Sequence, residues 1–364
     1  MNRIKSAVLR TARDLRYSRD VRLLRMPRLR QPRAAPPERE PFIYYLCPSG
    51  NVPIGGIKVI YRHVDELNSM GLNAAVVHAA AGFRCNWFEN KTRVLGASNV
   101  MLTTADTLVV PEYYGPSLNE LPTGPRVVIF NQNAYHTFTG ANSALISEFY
   151  ANRDRVSAIL VVSEDNASYM RYAFPGVPIS LIRQCIDTSI FWPSQHMPER
   201  RIAFMPRRRA ADCRQVLDLL ATRGCLEKWE PVEINGLSEG ATAEALRKSP
   251  IFLSFSEQEG FGLPPAEAMA SGCYVVGYTG LAGREYFDSA VCAAVEEGNV
   301  LAFAMAAEQV MMRFEAEPES IRQAGLYAAA NIRERYTRQA LRADLSAFYE
   351  PLLQVEASEN KSVR

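Results

Sequence analysis

From Pro41 onward, apolar residues gather in short runs rich in valine, isoleucine and aromatics, and between several runs they recur every three to four positions. The runs predict strands at 42–47, 73–78, 107–110, 126–131, 158–163 and 179–182, then a second series at 201–205, 232–235, 251–255, 273–277 and 291–295. Helical periodicity falls at 211–223, 241–248, 264–270 and 300–314, and Pro318 and Thr337 open two long amphipathic patterns over 319–334 and 338–353. Strand runs alternating with helical stretches predict α/β layers with parallel sheets, and the two series predict two domains. Between them IDTSIFWPSQHMPER (186–200) is polar and proline-bearing and reads as a hinge. Open parallel sheets bind ligands outside the carboxyl ends of their strands, which is where functional residues are sought.

Composition adds little to this for most of the chain. With 364 residues, 48% hydrophobic and 22% charged, it reads as a globular protein too long for one core. Seven scattered cysteines, none spaced CxxC, read as reduced core thiols. No apolar run reaches the roughly 18 residues of a membrane span, and the N-terminus lacks the apolar segment of a signal peptide. A cytoplasmic location is expected. Charge, however, sets one region apart: residues 1–40 hold Lys5 and eleven arginines against four acidic residues, a net +8 that leaves −6 for the remainder. Arginines recur every third residue from Arg10 to Arg28 with Ile4, Val8, Leu15, Leu23 and Leu24 interleaved. Residues 1–30 could contact an anionic membrane peripherally at its inner face, or form a solvated arm; no groove reader accompanies them, so nucleic acid is not expected. RAAPPEREP then reads as a linker.

Candidate chemistry concentrates at SEQEGFGLPPAEAMASG (256–272). IFLSF is a strand, SEQEGFG the loop leaving its carboxyl end, and PPAEAMA a helix with Pro265 in its first turn and Gly272 after its last. Glu259 sits in the loop and Glu267 in the helix. The amides of Phe261, Gly262 and Leu263 face outward at the helix start, where an anion or a sugar hydroxyl is welcome. Glu267, one turn on, can accept two vicinal hydroxyls such as a ribose presents, although an acidic residue there also stabilises a helix by about 0.3–1 kcal/mol.

EGFGLPPAEAMASGCYVV resembles the signature of retaining GT-B glycosyltransferases of the family-four, or group 1, type. The likeness extends past the tail: Gly55-Gly56 in NVPIGGIKVIYRHVDELNSMGLNAAVV is similar to the family's glycine pair opening the first helix, and VVSEDNASYMRYAF and CIDTSIFWP resemble its passage into the second domain. The resemblance implies two facing Rossmann-like domains with a cleft between them. Their boundaries fall at 41–190 for the N-terminal, acceptor-side domain and 191–337 for the C-terminal, donor-side domain. A tail and linker over 1–40 precede them, and 338–364 follows as a C-terminal helix that could pack back on the first domain, with a frayed tail after Leu353. It implies transfer of a sugar from a nucleoside-diphosphate sugar to a glycan or lipid-linked hydroxyl with retention, in polysaccharide or glycoconjugate assembly. Glu259 would orient the donor sugar, Glu267 the ribose, and Gly55, Gly56 and the 261–263 amides the diphosphate.

Departures from the family pattern shape the assignment. The usual Gly-Arg with a lysine five residues later is here MPRRRAADCR, with Pro206 for the glycine and Asp212 at the lysine offset. Arg207 and Arg208 are assigned to the diphosphate because a planar guanidinium engages phosphate bidentately, with Arg209 and Arg214 as alternatives. For the family's histidine near the transferred sugar, His136 is the candidate and Asn133 the alternative. His63 and His78 read as structural, and His196 as solvent-facing. There is no DxD, HExxH, Walker A or complete GxGxxG sequence, so no metal or other cofactor is expected. Two rival readings share the scaffold: a catalytically inactive nucleotide-sugar-binding or regulatory subunit, and a nicotinamide-dependent oxidoreductase.

Overall fold

The computed structural model describes residues 25–36, 38–50 and 54–362. The described residues divide into two compact units, one comprising those up to Val162, Asn166–Ile182 and those from Arg342, the other Ser163–Asp165 and Arg183–Leu341.

The first unit holds a seven-stranded sheet of β1 (Ile43–Leu46), β2 (Ala74–His78), β3 (Val94–Gly96), β4 (Thr107–Pro111), β5 (Arg126–Asn131), β6 (Val156–Val161) and β7 (Ile179–Leu181). Their order is β3-β2-β1-β4-β5-β6-β7, all parallel. β1, β2 and β4 are buried at every position. Strands covered on both faces need unbroken apolar runs, which is why they were legible as such. Helices α1 (Gly55–Ser69) and α2 (Ser143–Ala151) follow β1 and β5. α1 buries Ile57, Ile60, Val64 and Leu67, a spacing of three to four that puts one stripe against the sheet. The edge strand β3, three residues long, has too little pattern to be predicted.

The second unit holds β8 (Arg201–Phe204), β9 (Glu230–Glu233), β10 (Ile251–Phe255), β11 (Tyr274–Tyr278) and β12 (Cys292–Val295) in the order β12-β11-β10-β8-β9, again all parallel. β9 lies two residues earlier than its apolar positions suggest. As the edge strand it tolerates Pro231, and Arg201 of β8 pairs with Glu230 at 2.7 Å. The helices between strands are α4 (Ala210–Thr222), α5 (Glu239–Arg247) and α6 (Leu263–Ala270), with α7 (Val300–Ala316) and α8 (Pro318–Arg335) after β12. Ser238 caps α5 and Asn299 caps α7, each side chain accepting a first-turn amide. Phe303 of α7 stacks on Phe255 and meets Tyr278 edge-on beneath the sheet.

Remaining helices are α3 (Glu164–Ala173), after β6, and α9 (Arg338–Ser362). α9 runs beyond the predicted end at 353. From Arg342 it counts with the first unit, where Leu345 and Tyr349 are fully buried, the Tyr349 hydroxyl lies 2.8 Å from that of Tyr45, and Arg342 is 3.8 Å from Glu66.

Two expectations are corrected. The stretch 186–200, read as a hinge, is built into the second unit: Ile186 N donates to Tyr336 O, Phe191 is buried, Arg247 lies over the Trp192 ring and bonds Ile190 O, and Glu199 N bonds Lys248 O. The buried Phe191 needs cover that a polar hinge does not supply. The chain passes between units instead at 182/183 and 341/342. The second correction concerns the tail and linker over 1–40. Residues 1–24 lie outside the described residues, and so does most of the 1–30 segment assigned to a membrane surface. The part that follows is docked. Met26 joins the first core, Arg33 forms a parallel bridge with Thr103, and Arg39 donates to Asp106 at 2.8 Å. Asp106 is fully buried and also accepts from the amides of Phe42 and Thr103, so a carboxylate inside the fold fixes a segment whose composition suggests a spacer.

All seven cysteines are free, six of them buried. No described helix is long and apolar enough to cross a membrane.

Candidate active site

In each sheet the strand order reverses once. β1 is followed by β2 on one side and β4 enters on the other; β8 is followed by β9 on one side and β10 enters on the other. The carboxyl ends flanking such a reversal diverge and leave a crevice in which ligands of open α/β sheets bind. Both reversals are flanked by residues that the sequence singles out.

In the second unit Pro206, Arg207, Arg208 and Arg209 leave β8, and the loop 256–262 leaves β10. Arg208 Nε donates to Glu259 Oε1 at 3.0 Å and Nη2 reaches Oε2 at 3.4 Å, a two-pronged pair across the reversal. The Arg208 side chain is 39% exposed, so the pair is open to a competing anion. Arg207 is beside it. Burial lowers its pKa, the like charge of Arg208 lowers it further, and Glu259 offsets part of this. Arg209 is committed elsewhere: it bonds Ser256 O at 3.2 Å, Asp212 at 3.3 Å and Glu297 at 3.0 Å, and lies over the Tyr278 ring. Asp212, at the lysine offset, thus anchors an arginine. Arg214 is exposed on α4.

The loop itself is held from below. Glu259 N donates to Gly280 O at 2.9 Å, and Gly280 N donates to Glu297 Oε1 at 2.9 Å. Next to that bridge Leu281 has φ 70° and ψ −62°, and Ala282 N bonds back to Gly280 O. This is a γ-turn of the strained hand, of a kind that persists only where its surroundings enforce it. Burial raises the Glu297 pKa, while the Gly280 amide, Arg209 and Arg284 oppose the rise. Glu297, Thr279–Leu281 and Tyr286 were not singled out from sequence, since none belongs to a motif.

Gly262 precedes α6 with φ 87°, and a Cβ there would meet the Tyr286 hydroxyl at 2.7 Å. That hydroxyl reaches Phe261 O and Gly262 O at 3.0 and 2.7 Å, and the Phe261 ring is buried against Tyr286 and Tyr336. The Phe261 side chain is therefore an anchor, and only its backbone can serve a ligand. In the first turn of α6 only Leu263 offers a backbone N–H, because Pro264 and Pro265 carry none and Ala266 N bonds Gly262 O at 3.5 Å; the helix start carries the positive end of the dipole. Glu267 is half-buried on the next turn.

In the first unit Gly55 and Gly56 open α1 after β1, and residues 51–53 of that loop lie outside the described residues. Gln132 follows β5, and its Nε2 donates to Gly56 O at 3.1 Å. Asn133 is buried, and its side chain accepts from Tyr135 N, capping the single turn Ala134–His136. Asn166 Oδ1 accepts from Ala134 N. His136 is half-buried in that turn. Sequence reasoning overlooked Glu112, the first residue after β4. It is buried, its Oε2 accepts from Gln132 N at 3.0 Å, and burial pushes its pKa up to about 7 against the pull of the amides of Gln132, Asn133 and its own residue.

The other buried histidines are structural. His63 meets the Tyr45 hydroxyl at 3.3 Å and His78 that of Tyr61 at 2.7 Å; burial lowers their pKa values to about 3 and about 4, so both are neutral at physiological pH. His196 is exposed. Among the described residues, no group of three or more His, Cys, Asp or Glu is placed to hold a metal ion.

Residues 214–313, which include the Glu259–Glu267 stretch, match the family model "Glycosyl transferases group 1". Over 278 residues the chain is 29% identical to an alpha-1,6-glucosyltransferase of Actinobacillus pleuropneumoniae serotype 7 (strain AP76), covering 71% of this chain and 80% of that one. Among solved structures it is similar to sucrose-phosphate synthase of Thermosynechococcus elongatus, with a TM-score of 0.63 and 13% identity over 87% of this chain and 100% of that one. It is also similar to Anabaena HepE in complex with UDP-glucose, with a TM-score of 0.63 and 11% identity over 86% and 100% of the two chains. These likenesses define the class of protein: a glycosyltransferase, with the α/β fold of GT-B enzymes.

Proposed function

We propose that the protein transfers a sugar from a nucleoside-diphosphate sugar to an acceptor hydroxyl with retention of anomeric configuration, in polysaccharide or glycoconjugate assembly. UDP-glucose is the first donor to test, because the relative above is a glucosyltransferase and HepE binds that nucleotide sugar. The observation that carries the reading is the Arg208–Glu259 pair at the strand-order reversal beside the start of α6.

Arg207 and Arg208 neutralise the diphosphate, whose negative charge grows as the glycosidic bond to the leaving group breaks, and the Leu263 amide at the start of α6 adds a donor to it. Glu267 accepts the ribose hydroxyls and Glu259 the hydroxyls of the transferred sugar. Diphosphate binding moves Arg208 from carboxylate to phosphate, leaving Glu259 able to accept from the sugar. Acceptor deprotonation falls to a leaving phosphate oxygen, so Glu259 has no covalent role. Phosphate charge is met in this reading by guanidinium groups and backbone amides without a metal ion. On the first unit, read as the acceptor side, lie the Gly55–Gly56 start of α1, whose amides are offered to the diphosphate, and the Asn133–His136 turn.

One observation favours an inactive nucleotide-sugar-binding subunit: Asp212 occupies the lysine offset and spends its charge on Arg209. A single experiment separates the readings. The protein is screened for thermal shift against nucleotides and nucleotide sugars, and the donor that binds is followed by NMR of the anomeric proton with glycan acceptors. Binding with turnover and a retained anomeric configuration is expected. Binding without turnover selects the inactive subunit, and absence of any nucleotide-dependent shift removes both.

A further inference from the structure

The first unit keeps a carboxyl group inside the fold for which the proposed transfer has no use. Glu112 stands where β4 ends, on one side of the reversal in strand order; α1 begins on the other side, and β5 ends next to β4. From that position its carboxylate accepts Gln132 N at 3.0 Å, and the Gln132 side chain donates to Gly56 O at 3.1 Å. Gly56 leaves room for this contact, since a Cβ there would sit 3.2 Å from the Gln132 amide. One buried carboxyl therefore ties the loop after β5 to the first turn of α1. These are the two segments to which the acceptor-side residues Asn133, His136, Gly55 and Gly56 belong. A leucine or alanine would fill the site at lower cost if packing were all that mattered, because a buried carboxylate is expensive unless its hydrogen bonds are needed.

We propose that Glu112 is a positioning residue for glycosyl transfer, holding the β5 loop and the α1 start in the register that receives the acceptor hydroxyl. This rests on the glycosyltransferase reading above. Three amides converge on the group, from Gln132, Asn133 and its own residue, and an ionised carboxylate can accept all of them. A protonated or amide side chain turns one of its two ends into a donor facing a donor. The titratable groups that face Glu112 are Tyr113 of its own turn and Tyr150 of α2, both kept as neutral phenols by burial; the end of β5 presents backbone amides. Turnover therefore rises as pH increases through about 7.

The test compares wild type with Glu112→Gln and Glu112→Asp by three readouts. UDP release from UDP-glucose is followed from pH 5.5 to 9, UDP affinity is measured by calorimetry, and the Gln132 amide resonance is followed by NMR. For wild type, turnover and the Gln132 amide shift are expected to titrate together near neutrality. Glu112→Gln should lose both titrations and roughly tenfold or more in turnover at pH 8, with UDP affinity and thermal stability retained; Glu112→Asp should recover part of the pH-dependent limb. Wild-type turnover and pH profile in Glu112→Gln, or a Gln132 amide that does not titrate, overturns the proposal. A wild-type protein that neither binds UDP nor releases it overturns instead the nucleotide-sugar reading, and the NMR titration still decides whether Glu112 governs the loop.

Discussion

The two strand-order reversals carry different side-chain chemistry on the same topology. At the β8/β10 reversal, full charges stand at the surface in a pair that another anion can open. At the β1/β4 reversal the Glu112 carboxyl is buried, and what the described parts of the loops offer is amides, a half-buried histidine and helix-opening glycines. The contrast teaches what each can hold. A diphosphate requires fixed positive charge, whereas a sugar hydroxyl requires neutral donors and acceptors in accurate places, and accuracy comes from buried scaffolding.

The sharpest break in that comparison comes from Arg207→Ala with Arg208→Ala. Transfer is expected to fall about a thousandfold or more and UDP affinity about a hundredfold, with the melting temperature little changed, since each charged hydrogen bond contributes about 1.5–3 kcal/mol. Undiminished UDP affinity by calorimetry would move the diphosphate away from this reversal. The first unit responds to pH instead. The Glu112 pKa is higher in the folded chain than its ordinary 4.5, so the folded state binds that proton more tightly. Its stabilising contribution is full below about 4.5 and is lost as pH rises through about 7, on the order of 3 kcal/mol in all. Denaturant titrations at pH 5 and 8 should show this fall in wild type and a smaller one in Glu112→Gln.

Glu259→Gln separates the two jobs that the proposed transfer gives one carboxylate. Transfer should drop roughly a hundredfold while UDP, which lacks the sugar, binds several-fold more tightly because Arg208 is released from its partner. Equal UDP affinity in mutant and wild type would show that the ion pair does not compete with the ligand. Glu267→Ala should weaken UDP about tenfold with kcat of the saturated enzyme nearly unchanged, as loss of ground-state binding requires. The smallest effect is expected from Tyr286→Phe, which leaves Phe261 O and Gly262 O without their hydroxyl and costs about 1 kcal/mol of stability by thermal melting.

These differences also explain what was legible in the chain. The strand, loop and helix around EGFGLPPAE could be read because proline, glycine and apolar runs punctuate local structure by themselves, and α6 begins within a residue of its predicted start. The three arginines were placed correctly at a strand end, yet their division of labour depends on Glu259 and Glu297, which lie 51 and 88 positions away in sequence. Glu112 was invisible: a lone glutamate after a strand carries no pattern, and its burial is decided by what packs around it. The passage at 186–200 was misread for the converse reason, since its polar residues resemble a linker while Phe191 and Trp192 fasten it to the second unit. Local chemistry shows through a sequence, and long-range pairing does not.

The return of α9 carries a consequence for synthesis. The Tyr45 hydroxyl waits for that of Tyr349, 304 positions downstream, so the first unit to leave the ribosome is the last to be finished. Removing the chain from Arg342 onward would leave the buried Tyr45–His63 couple without its third member, and the protein without the wedge that closes its oldest core.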